Sequence, residues 1–378
     1  MTMERFMFEN FKVPANLKTT DPRFGSGPSL LPQEFVKKLA ETGYELLGTS
    51  HRKPAVKNLV KSVQDGFKKY FNLPVGYEVV LGNGGATFLW DMMALGMVEQ
   101  KSLHFVCGEF SEKWYKAHKK VPWIKADIKQ VDYGMGIDAI EVDGYDMICT
   151  TLNETSTGVQ ISSLPTIKNP NTLLAVDATS GAGQIPCDIS KVDMFYFSPQ
   201  KVFASEGGLW IAFMSPKALA RVKKIEEDKS RYIPEVMSFK LAVENSVANQ
   251  TYNTPSITTF FYINEQLKLM NDLGFNKVCE MANDKAKLLY GWAEAKPYLS
   301  AYVKEEKYRS KAVATIDVDD KYPVDDMLKV LRSEKIAYDI DAYRKLGRNQ
   351  FRISMFHNIK IEDLKKLTEV ISMMIEGK

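Results

Sequence analysis

Between residues 55 and 72, apolar side chains recur at Val56, Leu59, Val60, Val63, Phe67, Tyr70 and Phe71, the spacing of one stripe along a helix. Upstream, Pro32 opens a helix predicted through residue 40. Residues 1–30, with Pro14, Pro22 and Pro28 and glycines at 25 and 27, have no period and read as irregular. From residue 77 the texture alternates. Short blocks rich in β-branched or other apolar residues at 77–81, 103–107, 147–151, 173–176, 194–197 and 209–213 predict strands, and residues 87–97 and 111–119 predict helices. This alternation predicts an α/β fold with a mainly parallel, mixed sheet covered by helices on both faces. The last three strands follow one another too closely for helical crossovers, so that part is expected to be irregular or antiparallel.

Farther along, helical periods at 255–273 and 277–292 precede a strand at 313–318, a helix at 324–333, a strand at 351–356 and a helix at 361–375. The expected organisation is an irregular segment at 1–20, a large domain at 21–263 and a smaller α+β domain at 264–378.

Composition narrows the function. With 45% hydrophobic and 26% charged residues, the 378-residue chain is an ordinary globular sequence of about two or three domain-sized units. A net charge of +3, from 50 basic and 47 acidic residues, gives no support to a nucleic-acid or acidic-membrane role. The lysine-rich stretches at 113–120 and 221–229 read as solvated helix faces. The four cysteines (Cys107, Cys149, Cys187, Cys279) form no Cys-x-x-Cys pair, and no two of the four histidines stand at i, i+4, so neither a disulfide framework nor a metal site is expected. No apolar run reaches membrane-span length and the first residues lack a signal core, so the expected compartment is the cytoplasm.

The chemistry gathers at strand ends. Met194-Phe195-Tyr196-Phe197 runs into Ser198-Pro199-Gln200-Lys201, and Leu174-Ala175-Val176 ends at Asp177. A lysine amine can form a Schiff base with an aldehyde cofactor, and a carboxylate can hold a pyridine nitrogen protonated so that the ring accepts electrons. Gly82 to Thr87 forms a small-residue turn between a strand and a helix, which suits an anion. Phe110 is placed to stack on a flat ring, and Thr155 to reach a phenolic oxygen or to cap a turn. In open α/β sheets this edge is where ligands bind.

Taken in order, F-G-S-G-P-S-L-L-P from residue 24, S-H-R at 50–52, G-N-G-G-A-T at 82–87, G-E-F-S at 108–111, N-E-T at 153–155, V-D-A-T-S at 176–180, S-P-Q-K at 198–201 and N-T-P-S at 253–256 resemble the phosphoserine aminotransferases, class-V members of the fold-type I pyridoxal-phosphate enzymes. That resemblance implies pyridoxal 5'-phosphate, with Lys201 carrying the covalent link and Asp177 at the ring nitrogen. Phe110 would stack on the ring, where many relatives have tryptophan. Thr155 and Gln200 would meet ring substituents, and Gly85, Ala86 and Thr87 the phosphate. Asn253 and Thr254 would reach that phosphate from the neighbouring subunit of a homodimer. Arg352 would hold the substrate α-carboxylate, while His51 and Arg52 would serve the distal anion across the interface. The implied reaction is a ping-pong exchange between L-glutamate and 3-phosphohydroxypyruvate that yields O-phospho-L-serine. The alternatives are another class-V activity, such as alanine–glyoxylate or serine–pyruvate transamination, a cysteine desulfurase, or a catalytically silent ligand-binding protein of the same fold. Two departures stand out. Arg344-Lys345-Leu346-Gly347-Arg348 fills the place of a His-Arg pair, leaving Arg344, Lys345 and Arg348 as candidates for substrate phosphate. Phe356-His357-Asn358 is one residue longer than the family's aromatic-Asn.

Overall fold

The computed structural model describes residues 7–377, so the first six residues of the expected irregular segment lie outside the described residues. Seven strands make the central sheet: β1 (Glu78–Gly84), β2 (Lys101–Val106), β3 (Lys125–Gln130), β4 (Met147–Thr151), β5 (Leu173–Asp177), β6 (Met194–Phe197) and β7 (Gly208–Met214), in the order β1-β7-β6-β5-β4-β2-β3. Strands β3, β2, β4, β5 and β6 are mutually parallel, and β7 runs antiparallel to both β6 and β1. Every residue of β4, β5 and β6 is buried, which is why they read as unbroken apolar runs. The crowding of strands is resolved in two ways. The β6–β7 link makes an antiparallel pair as expected, whereas β5 and β6 stay parallel because tight turns after Ala178 and a single 3₁₀ turn at Ile189–Lys191 suffice to return the chain.

Helices cover the faces: α1 (Gln33–Leu46), α2 (Pro54–Tyr70), α3 (Ala86–Gly96), α4 (Glu109–Lys119), α5 (Pro216–Glu226), α6 (Phe239–Val247) and α7 (Ile257–Leu273). Pro54 and Pro216 occupy first-turn positions where no N–H is needed, and Ser215 caps α5 by accepting from the Ala218 N–H at 3.1 Å. The buried stripe of α2 (Val56, Val60, Val63, Phe67, Tyr70) meets an aromatic cluster on the sheet. Phe67 lies 5.5, 5.1 and 5.8 Å from the rings of Phe197, Phe203 and Phe213, so the residues flanking Lys201 are fixed by this packing.

The second unit holds α8 (Phe275–Glu294), β8 (Leu299–Ala301), β9 (Val313–Val318), α9 (Val324–Ser333), β10 (Gln350–Ser354) and α10 (Ile361–Glu376), with an antiparallel sheet in the order β8-β9-β10. The expected boundary at 263/264 falls inside α7, which runs unbroken against α2; the chain turns only at Gly274, whose φ is +82°. The irregular N-terminal segment packs on this second unit. Lys18 pairs with Glu334 at 2.6 Å, the Thr20 N–H donates to Asp363 at 2.7 Å, and Arg23 bridges to Tyr338. One of the lysine-rich stretches also differs from expectation. Arg221 is buried, ion-paired to Glu99 at 2.7 Å and bonded to the carbonyl oxygens of Met97 and Asn171, so it ties α5 to the sheet.

Phe67 is fully buried among aromatic rings, so Phe67→Ala is expected to lower the unfolding free energy by about 3–5 kcal/mol in urea denaturation. A loss below about 1 kcal/mol would mean that the cluster does not hold α2 to the sheet.

Candidate active site

The C-terminal ends of β4, β5 and β6 and the first turns of α3 and α4 meet at one edge of the sheet. A cavity of about 340 Å³ there is lined by Gly85, Ala86, Thr87, Phe110, Thr155, Asp177, Gln200, Lys201 and Arg352, all nine of which were singled out in the sequence. Ser26, Gly27, Trp90, Thr151, Asn153, Thr179 and Tyr343 complete the wall. Asp177 is the last residue of β5, and Lys201 follows β6 in a loop whose Ser198 hydroxyl donates to the Leu209 carbonyl oxygen at 3.0 Å. The segment 24–29 lies over that loop, with the Ser29 N–H donating to the Gln200 carbonyl at 2.7 Å. Gly27 has a φ of +147°, and a Cβ there would stand 2.8 Å from Lys201 Cε, so only glycine lets this segment close on the lysine.

The Lys201 ammonium donates to Thr155 Oγ1 at 2.9 Å and lies 5.3 Å from the centre of the Phe110 ring. Burial pulls its pKa from 10.5 down to about 8. Asp177 partly opposes this shift, and the Arg352 guanidinium adds to it. Asp177 accepts from the Thr179 N–H and hydroxyl at 2.9 and 2.6 Å and from the Tyr196 hydroxyl at 3.1 Å, which in turn accepts from the Trp90 indole at 2.9 Å. The carboxylate is thus fixed in direction before any ligand arrives.

Phe110 is set by a residue that the sequence reading quoted without giving it a role. The fully buried Glu154 carboxylate accepts from the Phe110 and Ser111 N–H groups at 3.3 and 2.9 Å and from the Ser111 and Ser156 hydroxyls at 2.8 Å each. It closes the N-terminus of α4 and so aims the ring at the cavity. Gly108 is required beneath it, because a Cβ there would lie 2.3 Å from Glu154 Cγ.

The residues expected to act across a dimer interface lie apart from this cavity. His51 Nδ1 is 3.3 Å from the Thr254 hydroxyl, and Asn83 donates to the carbonyl oxygens of Asn253 and Thr254 at 3.2 and 3.0 Å. Arg52, Asn253 and Thr254 are exposed. Among the phosphate candidates, Arg348 is bound through two nitrogens to Asp317 at 3.0 and 2.7 Å, and Lys345 is paired with Glu109. Arg344 is exposed, and none of the three lines the cavity. The longer Phe356-His357-Asn358 turn serves the segment 24–30: Asn358 bonds Ser29 and Leu30, while buried Lys285 donates to the Phe356 and His357 carbonyls at 2.7 and 2.9 Å. One group of metal-ligand type, His104, His118 and Cys149, lies outside the cavity. The His118 nitrogens already face Trp114 at 3.0 Å and Ser102 at 3.4 Å, so it is read as a buried network.

The cavity suits pyridoxal phosphate. Thr151, Asn153, Gln200 and Arg352 each present a buried polar atom without a partner among the described residues, so the wall is built for a polar occupant. Gly85 caps α3 and leaves the first N–H groups of that helix facing the space, as an anion requires. A lysine amine, a fixed carboxylate, an aromatic face and a helix N-terminus at this sheet edge define a pyridoxal-phosphate enzyme of fold type I.

Residues 24–367 match aminotransferase class-V, and the chain belongs to that family. It is 43% identical to a phosphoserine aminotransferase of Corynebacterium glutamicum over 97% of both chains, and 44% identical to one of Rhodococcus opacus over 96% of this chain and 97% of that one. The crystal structure of a phosphoserine aminotransferase from Cytophaga hutchinsonii superimposes with a TM-score of 0.86 at 25% identity, covering 93% of this chain and 98% of that one.

Because burial brings Lys201 to about 8, the rate at which the cofactor-free protein captures pyridoxal phosphate is expected to rise with pH up to about 8 and then level off. The neutral amine is the nucleophile, so lowering the pKa moves the rise to lower pH. Stopped-flow absorbance across pH reads this directly; a rise that continues toward 10.5 would mean that the amine is not shifted.

Proposed function

We propose that the chain is a phosphoserine aminotransferase. It exchanges an amino group between L-glutamate and 3-phosphohydroxypyruvate, giving 2-oxoglutarate and O-phospho-L-serine on the route to L-serine. The observation that carries this reading is a half-buried guanidinium, Arg352, whose Nε is enclosed, on the same cavity as Lys201 and Asp177 and without an ion pair among the described residues. An arginine in that state is available to a substrate carboxylate, which its planar fork takes through two bonds. The nearly full-length likeness to proteins named for the same activity supports the choice of substrates.

Pyridoxal phosphate, when bound, supplies an aldehyde for the lysine and a ring that takes up the electron pair left at the substrate Cα. Gly85, Ala86 and Thr87 would hold its phosphate, Phe110 its ring face and Asp177 its ring nitrogen. Lys201 Nζ would take the proton from the Cα of the first substrate and later return a proton to the Cα of the second. Its depressed pKa keeps a large share of the amine neutral near pH 8. Cys279 lies on α8, outside the cavity, with its thiol pushed up to about 11 by burial, which argues against cysteine desulfuration.

The reading includes a cytoplasmic homodimer. Free cysteines support a reducing compartment, and no described helix is long and apolar enough to cross a membrane. The His51–Thr254 cluster, which does not line its own cavity, suits donation of His51, Arg52, Asn253 and Thr254 to a neighbour's site. Of the C-terminal cations, Arg344 is left as the candidate for substrate phosphate, since Arg348 and Lys345 are held by carboxylates.

A panel of amino donors and keto acids tests the activity. Glutamate with 3-phosphohydroxypyruvate should exceed alanine with glyoxylate by about a hundredfold or more in kcat/KM; the reverse order would overturn the substrate assignment. Mixing Lys201→Ala with Arg52→Ala protein tests the shared site. Co-refolded hybrids should recover roughly a quarter of wild-type activity, because about half the dimers then carry one intact site. Verified hybrids with no gain would remove Arg52 from the partner's site.

A further inference from the structure

The segment that replaces the His-Arg pair sends none of its cations into the cavity. The residue just before it, Tyr343, does line the wall. Its ring centre is 5.6 Å from the Arg352 guanidinium carbon and 5.7 Å from the Phe110 ring, and its hydroxyl accepts from Lys113 Nζ at 3.2 Å. Lys113 is tied in turn to Glu109 at 3.3 Å, and Glu109 holds Lys345. Tyr343 therefore stands on the second unit with its hydroxyl anchored on α4 and its ring against Arg352.

The state of Arg352 explains what that ring does. The guanidinium is largely withdrawn from water, and its Nε has no partner among the described residues. The acid two residues before Tyr343, Asp341, is already ion-paired with Arg332. A carboxylate beside Arg352 would compensate its charge but compete with any substrate carboxylate. An aromatic face compensates a cation without occupying the N–H groups that make the bidentate contact.

We propose that Tyr343 is a positioning residue for the substrate α-carboxylate: its ring face holds Arg352 oriented and unpaired. This rests on the reading of Arg352 as the carboxylate holder. Both substrates carry an α-carboxylate, so the effect should fall on both alike. It should appear in binding more than in turnover, since the contact is made in the ground state as well as the transition state.

The test uses the holoenzyme and glutarate, a dicarboxylate that has neither an amino nor a keto group to react. Calorimetry gives its Kd, and steady-state kinetics give KM and kcat for glutamate and 3-phosphohydroxypyruvate. Tyr343→Leu should weaken glutarate and raise both KM values by about five- to thirtyfold, with kcat and the cofactor absorbance little changed. Tyr343→Phe keeps the ring and should stay within about twofold of wild type. Tyr343→Met, a second variant without a π face, guards against a folding defect in the leucine variant, which circular dichroism would reveal. Arg352→Lys is the control for the underlying reading. If it leaves glutarate affinity unchanged, Arg352 is not the holder and the proposal falls with that reading. If Arg352→Lys weakens binding but the leucine and methionine variants do not, the role of Tyr343 alone is overturned. Equal losses in Tyr343→Phe and Tyr343→Leu would also overturn it, by assigning the effect to the Lys113–hydroxyl bond.

Discussion

Keeping the Lys201 amine out of water sets the terms for the rest of the site. A desolvated ammonium is costly, so the protein must either neutralise it or surround it with compensating groups. Here it does some of both: burial brings the pKa down to about 8, while Thr155 and the face of Phe110 accept the charge that remains. Each compensating group needs its own support. Thr155 is held by Ser180, Phe110 by the Glu154 cap on α4, and the loop carrying Lys201 by the aromatic packing beneath it. The fold can be read as successive layers of support for one nitrogen atom.

The same rule governs Arg352, which lines the same cavity, with a different solution. No carboxylate among the described residues forms an ion pair with it, and an aromatic ring stands against it instead. On the proposed reading, a lysine that must become neutral to react and an arginine that must stay charged to bind occupy one small space. The Arg352 charge is itself one reason that the lysine amine deprotonates more easily.

Much of this was legible in the sequence, for physical reasons. Strands buried on both faces leave continuous apolar runs, and chemistry at their ends is then visible as polar residues following those runs, as with Asp177 and Lys201. Strand β3 was not legible, because an edge strand such as Lys125-Ala126-Asp127-Ile128-Lys129-Gln130 carries charges that hide its period. Glu154 stood in a recognised motif, but its role depends on the Phe110 and Ser111 donors that the fold brings to it from α4. Tyr343 gave no signal, since an aromatic in an irregular loop has neither a period nor a partner until the second unit docks. Arg221 misled for the opposite reason: a cation among lysines on a helix reads as solvated, and only the adjoining loops reveal a buried anchor.

The segment 24–30 ties the finished site to the order in which the chain is made. It closes over Lys201 through Gly27 and Ser29, yet it is held from the other side by Ser354 and Asn358, close to the end of the chain. Translation makes the first of these pieces about three hundred residues before the last. While the polypeptide is still on the ribosome, the central sheet can assemble, but its lysine has no roof and its arginine has not been made. Loading of the cofactor pocket in its finished form therefore waits until Arg352, Ser354 and Asn358 have been made, and removing either the segment 24–30 or the turn that holds it opens the same wall.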